Sequence, residues 1–136
     1  MSEPATIVDA LHPVLDDLER CHPGLIRVEV ADPEDDMAAW FWASDGTGAG
    51  IWRRPFASWA EAVVTVADQL QEVVVESLPG IGRRACWPIC PQHPRTHPLT
   101  ASGEEDRAVW RCPVTGDIAD EIGSLTPMPG EAHPVQ

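Results

Sequence analysis

The chain has 136 residues and a net charge of −13, from 22 acidic against 9 basic side chains, with 43% of residues apolar and 23% charged. This composition excludes a disordered chain, and the acidity opposes the phosphate attraction on which nucleic-acid binding rests. At this length one domain, or one domain with a small appended module, buries about 65–70% of its unfolded surface, so a core needs no disulfides.

Ile7, Leu11, Val14, Leu15 and Leu18 recur at helical spacing and predict a first helix over residues 4–20, with Asp9, Asp16, Asp17 and Glu19 on other faces. Pro13 lacks the N–H that an interior turn needs, so this helix is expected to kink or divide there. His22-Pro23-Gly24 stops it. Ile26, Val28 and Val30 then alternate with polar or small neighbours as a half-buried strand, which the acidic run 32–36 ends in a turn. Residues 37–44 are apolar on both parities, Trp40 and Trp42 on one and Phe41 on the other, and read as a central strand covered on both sides.

The glycine-rich stretch 45–50 reads as a hairpin loop before a short returning strand at 51–54. It lacks the lysine and the strand-to-helix setting of a phosphate-binding loop. Ser58-Trp59-Ala60-Glu61 is a capping box that opens a second helix, expected to run to about Ser77 before Pro79-Gly80. Trp59, Val63, Val66, Leu70, Val73 and Val74 share one arc of it, while Glu61, Asp68, Glu72 and Glu76 read as a solvated face. Val64 and Val75 fall outside that arc, either as a second contact surface or as surface valines.

Beyond Gly80 the character changes. Nine of the 14 prolines lie from Pro79 onward, and apolar periodicity is lost until Ala108. Residues 1–82 carry 15 acids and 4 arginines, a net of −11, against 7 acids and 5 arginines, a net of −2, in residues 83–136. The acidic field therefore belongs to the first part, and a loop-rich module held by a metal ion accounts for the second.

The ligands are Cys90, His93, His97 and Cys112, in the spacing C-x2-H-x3-H-x14-C. Two thiolates and two imidazoles suit a tetrahedral zinc ion. Pro91 and Pro113 follow the two cysteines and start tight turns in which main-chain N–H groups approach sulfur, and two such Cys-Pro corners resemble a zinc ribbon. A ribbon corner ordinarily holds two cysteines, whereas Cys112-Pro113-Val114-Thr115 lacks its second sulfur, so another residue completes the shell. His97 is the stronger candidate and Cys86, immediately before Trp87-Pro88, the competitor. An open position holding water, or a Cys90–Cys112 disulfide without metal, are the remaining readings. Residues 108–112 and 117–122 are expected to pair as a hairpin, with Trp87 and Trp110 packed beside the ligands. Cys21 reads as a small buried apolar residue, and His12, His22 and His133 as solvent-facing.

Trp87-Pro88-x-Cys90-Pro91-x-His93 followed by His97-Pro98-Leu99 and Trp110-x-Cys112-Pro113 resembles small uncharacterised proteins of high-GC Gram-positive bacteria. The resemblance covers mainly residues 87–125, implies that the four ligands form one unit, and implies no activity. Arginine is the sole basic residue type, in keeping with such a genome.

The expected fold is α+β: a small antiparallel sheet with two helices over residues 1–80, a zinc-ribbon-like module over 81–125, and a disordered Pro-rich tail over 126–136. No apolar run approaches the ~18 residues that span a bilayer, and no basic segment precedes an apolar one at Met1, so the reading is a cytoplasmic protein with no membrane contact. Its expected function is non-catalytic binding of a protein partner through a surface fixed by structural zinc. The alternatives are a metal-dependent hydrolase, with Glu104, Glu105 or Asp106 as base, and nucleic-acid binding through Arg83, Arg84, Arg95, Arg107 and Arg111.

Overall fold

The computed structural model describes residues 6–128. The expected tail from 129 onward and His133 lie outside them. Two helices and two separate three-stranded antiparallel sheets make up the fold. Among the described residues no helix is long and apolar enough to cross a membrane.

Helix α1 (Ile7–Cys21) is capped by Thr6, whose hydroxyl accepts from Asp9 N–H at 3.2 Å and donates to the Asp9 carboxylate at 2.7 Å. It runs through Pro13 as one helix, so of the kink or division expected there the division does not occur. Pro13 lies against Gly123, where an added Cβ would meet the ring at 3.0 Å and where φ is +108°, so only glycine fits that close approach. Two expectations on this helix are corrected: Asp17 is fully buried, and His22 at its C-cap is buried where a solvent-facing imidazole was expected. Burial, and then the charge of Arg83, lower the pKa of His22. Cys21 is buried, as expected.

Strands β1 (Ile26–Val30), β2 (Met37–Ala43) and β3 (Gly48–Trp52) form the first sheet in that order. Val28 pairs with Phe41, and Trp40 and Trp42 pair with Gly50 and Gly48. Ile26, Ala39, Phe41 and Ile51 are buried on the inner face. The strand expected to be covered on both sides is covered on one: Trp40 and Trp42 lie half-buried on the outer face. β3 also begins inside the glycine run that reads as loop, because those glycines pair with the tryptophans.

The capping box at Ser58 forms, with Ser58 Oγ accepting from Glu61 N–H at 3.1 Å and Glu61 Oε2 accepting from Ala57 N–H at 2.8 Å. It opens α2 (Trp59–Ser77), which continues into a 3-10 turn (Leu78–Ile81). Trp59 is 46% exposed, against its place in the expected apolar arc, while Val64 packs against the core. β4 (Thr100–Glu104), β5 (Arg107–Arg111) and β6 (Ile118–Glu121) form the second sheet, in which Trp110 pairs with Ala101 and Asp120. The β5–β6 pairing is the expected hairpin. β4 is a strand where irregular chain was expected.

Helix α2 touches β2 and β3 of one sheet and β4 and β5 of the other, as well as α1. Side chains from both halves accordingly belong to one buried cluster, Leu18, Val63 and Leu70 together with Trp87, Leu99 and Trp110. The composition change near residue 80 is not a break in the packing.

Candidate metal centre

Two stretches of chain bring the ligands together. The first is the loop between Trp87 and Leu99, whose ends are fastened by the Leu99 N–H to Pro88 carbonyl bond at 2.8 Å and a bridge between Ile89 and Pro98. Gln71 of α2 reaches both ends at once: its Nε2 donates to the carbonyls of Trp87 at 3.0 Å and Leu99 at 2.7 Å. Inside the loop, turns are closed by His93 N–H on the Cys90 carbonyl and Thr96 N–H on the His93 carbonyl. These turns carry Cys90, His93 and His97 to the same side.

The second stretch follows β5. Cys112 sits in a turn closed by Gly116 N–H on its carbonyl at 2.9 Å, with Gly116 at φ +81°. Gln92 bridges the two stretches, donating to Asp117 Oδ2 at 2.8 Å and accepting from Thr115 Oγ1 at 2.8 Å.

The structure brings all four predicted residues together: one ligand atom from each of Cys90, His93, His97 and Cys112 lies within 4.8 Å of the others, positioned to hold a metal ion. Nδ1 of His93 stands 3.7 Å from Cys90 Sγ and 3.5 Å from Cys112 Sγ. With metal–sulfur and metal–nitrogen bonds of ~2.3 and ~2.05 Å, tetrahedral angles put S and N about 3.6 Å apart, and these two distances match that separation. His97 points differently. Its Nδ1 lies 3.1 Å from the Pro98 carbonyl, and its Nε2 is buried without a hydrogen-bond partner. An enclosed ring nitrogen with no hydrogen-bond partner, beside a second ring nitrogen held by a main-chain carbonyl, is what a metal-binding histidine presents. Cys86 is buried but does not belong to the group.

Cys90 and Cys112 are buried, and His93 and His97 half-buried. Burial pushes the Cys112 thiol up, but the Thr115 hydroxyl and N–H, the Val114 N–H and the Cys90 thiol together bring it down to about 6. The Thr115 N–H lies 3.5 Å from Sγ, the contact expected of a Cys-Pro corner. The thiolate is the form that binds metal. Trp87 and Trp110, fully buried, meet edge to face at 5.5 Å and 72°, so they belong to the core beside the site.

Sequence reading missed Asp17 as part of this assembly. Its Oδ2 accepts from Trp110 Nε1 and from Gly123 N, both at 2.8 Å, and its Oδ1 from Leu125 N at 3.0 Å and Arg20 at 2.9 Å. The signal was present: at 100° per residue Asp17 falls beside Ala10 and Cys21, at the border of the apolar arc. No protein-family model, no curated protein and no solved structure matches the chain.

Proposed function

We propose that the chain is a cytoplasmic, non-catalytic protein-binding module in which Cys90, His93, His97 and Cys112 hold one structural zinc ion. The observation that carries this reading is the donor set itself, two sulfurs and two ring nitrogens whose ligand atoms all lie within 4.8 Å of one another. Such a shell leaves no position for substrate or an activated water, and its sulfur content favours zinc over magnesium or calcium. When bound, the ion fastens the Trp87–Leu99 loop to the β5–β6 turn. The two Cys-Pro corners facing across it resemble a zinc ribbon.

The cleft beside the thiols, lined by Cys90, Gln92, Leu99, Cys112, Asp117 and Ile118, holds 120 Å³, below the ~300 Å³ at which small-molecule sites begin. Two of the arginines that a nucleic-acid reading would use are engaged internally: Arg84 donates to the Pro94 carbonyl, and Arg111 to Glu104 and the Gly116 carbonyl.

Elemental analysis of protein purified without added metal tests the reading, with X-ray absorption at the zinc edge to count ligands. One zinc per chain with two sulfur and two nitrogen neighbours is expected. A ratio near zero, or a shell with a water in the fourth position, would overturn it.

A further inference from the structure

Three of the six tryptophans stand on the outer face of the first sheet, away from the core. Trp40 and Trp42 lie side by side, ring centroids 5.8 Å apart and 19° from parallel, and Trp52 on the edge strand is 64% exposed. Beneath the first two the strand carries glycine. A Cβ on Gly48 would come within 2.4 Å of the Trp42 ring, and one on Gly50 within 3.0 Å of the Trp40 ring and 2.0 Å of Met37. The rings are therefore seated on the backbone of β3 and held in place before any ligand arrives, which lowers the ordering cost of binding.

We infer that this face is the docking surface for a basic segment of a partner protein, one whose arginine or lysine side chains lie over the indoles. The inference rests on the protein-binding reading above and names the surface and the partner's chemistry. Charge complementarity selects the occupant. At the Met37 and Trp52 end, the turn between β1 and β2 exposes Asp32, Glu34, Asp35 and Asp36. Arg53 donates to the main-chain carbonyls of Asp32 and Asp35, which orders this turn without drawing on its carboxylates.

Along the β1 side Glu29 is exposed but paired with Arg27 at 3.6 Å, while the whole segment 1–82 carries a net of −11. The indoles also accept a cation already, with the Arg27 guanidinium 5.8 Å from the Trp42 ring centre. At the opposite end of β2 an open cleft of 490 Å³ is bordered by Leu25, Arg27, Trp42 and Ser44. From Met37 to Ala43 the face runs roughly 20 Å at ~3.3 Å per residue, the length of about six extended residues. An apolar middle with an acidic end fits a basic chain and repels nucleic acid.

The test uses the whole chain as purified, without added metal and labelled with ¹⁵N in tryptophan, whose indole N–H signals report each ring separately. Titration with decaarginine is expected to shift Trp40, Trp42 and Trp52 and leave Trp87 and Trp110 in place, with affinity falling at least ~5-fold between 50 and 200 mM salt. Decaglutamate and deca-deoxythymidine are expected to shift none of them. Trp52→Ala, at an exposed position, should weaken decaarginine at least ~5-fold, and Asp32→Asn combined with Asp35→Asn should do the same while leaving the indole signals of the free protein unchanged.

Unmoved indoles under decaarginine, equal shifts with deca-deoxythymidine, or shifts that grow with protein concentration alone would each overturn the inference, the last by making a second copy the occupant. Zinc content measured on the same sample separates the two readings. Zinc present with unmoved indoles defeats the docking surface alone, whereas zinc absent defeats the metal-held module whatever the indoles do.

Discussion

The indole N–H of Trp110 donates to Oδ2 of Asp17 at 2.8 Å, joining positions 93 residues apart. Asp17 belongs to the first helix and Trp110 stands two residues before Cys112, so a buried carboxylate ties the N-terminal helix to the strand that leads to one sulfur of the candidate metal group. Both oxygens are occupied, by three N–H donors and by Arg20. A group enclosed in this way is costly to disturb on either side.

Asp17→Ala leaves the donors of Trp110 and Leu125 buried and unpaired and that of Gly123 half-buried, and is expected to cost about 3–5 kcal/mol. Asp17→Asn keeps the shape but turns an NH₂ group toward an N–H, at about 1–3 kcal/mol. Urea unfolding followed by tryptophan fluorescence measures both. A loss under ~0.5 kcal/mol for Asp17→Ala would show that water replaces the carboxylate.

The same residue sets a pH dependence. Burial raises the pKa of Asp17 above its ordinary 3.8, outweighing the hydrogen bonds from Gly123, Trp110 and Leu125 and the charge of Arg20. Between 3.8 and the raised value the folded chain holds a proton that the unfolded chain has released. Asp17's share of the stability is therefore largest at low pH, declines as pH rises through that window, and is level above it. The difference in unfolding free energy between wild type and Asp17→Asn, followed from pH 4 upward, isolates this contribution. A difference that grows with pH would contradict the sign.

Cys90→Ser and Cys112→Ser are each expected to abolish stoichiometric zinc, and His97→Ala to weaken it at least ~10-fold, because each removes one corner of the tetrahedron. Cys86→Ser should leave affinity within ~2-fold, since Cys86 stands outside the group. Competition against a chromophoric chelator gives the four affinities. Zinc lost in Cys86→Ser but kept in His97→Ala would exchange the roles of the two residues.

Gln71→Leu, close in volume but without the donor, frees the carbonyls of Trp87 and Leu99. We expect a loss of about 2 kcal/mol in stability, from two hydrogen bonds at about 1 kcal/mol each, and a fall of about 10-fold in zinc affinity. Unchanged affinity with reduced stability would make Gln71 a helix–loop fastener with no hold on the site.

The metal group was legible in the sequence because three of its members lie within eight positions and the fourth follows a tryptophan and precedes a proline, chemistry that needs no knowledge of the fold. Both helices were legible from apolar period and caps. β4 was not: Thr100-Ala101-Ser102-Gly103-Glu104 carries no large apolar side chain, and its strand character comes from pairing with β5. The outer tryptophans were misplaced for a related reason. A strand apolar on both parities reads as doubly covered, and nothing in one sequence shows that glycines on the neighbouring strand cover the second face instead. Asp17 escaped because its partners arrive from residues 110, 123 and 125.

The arrangement of ligands along the chain has a consequence in time. During synthesis the loop bearing Cys90, His93 and His97 leaves the ribosome first, and its ends are fastened locally by Pro88, Ile89, Pro98 and Leu99 and by a helix already made. Cys112 follows 14 intervening residues later, about 1–3 s at ~5–20 residues per second. In that interval the nascent chain offers three of the four donors, one sulfur and two nitrogens. Only the second sulfur, delivered by the β5–β6 turn, completes the donor set.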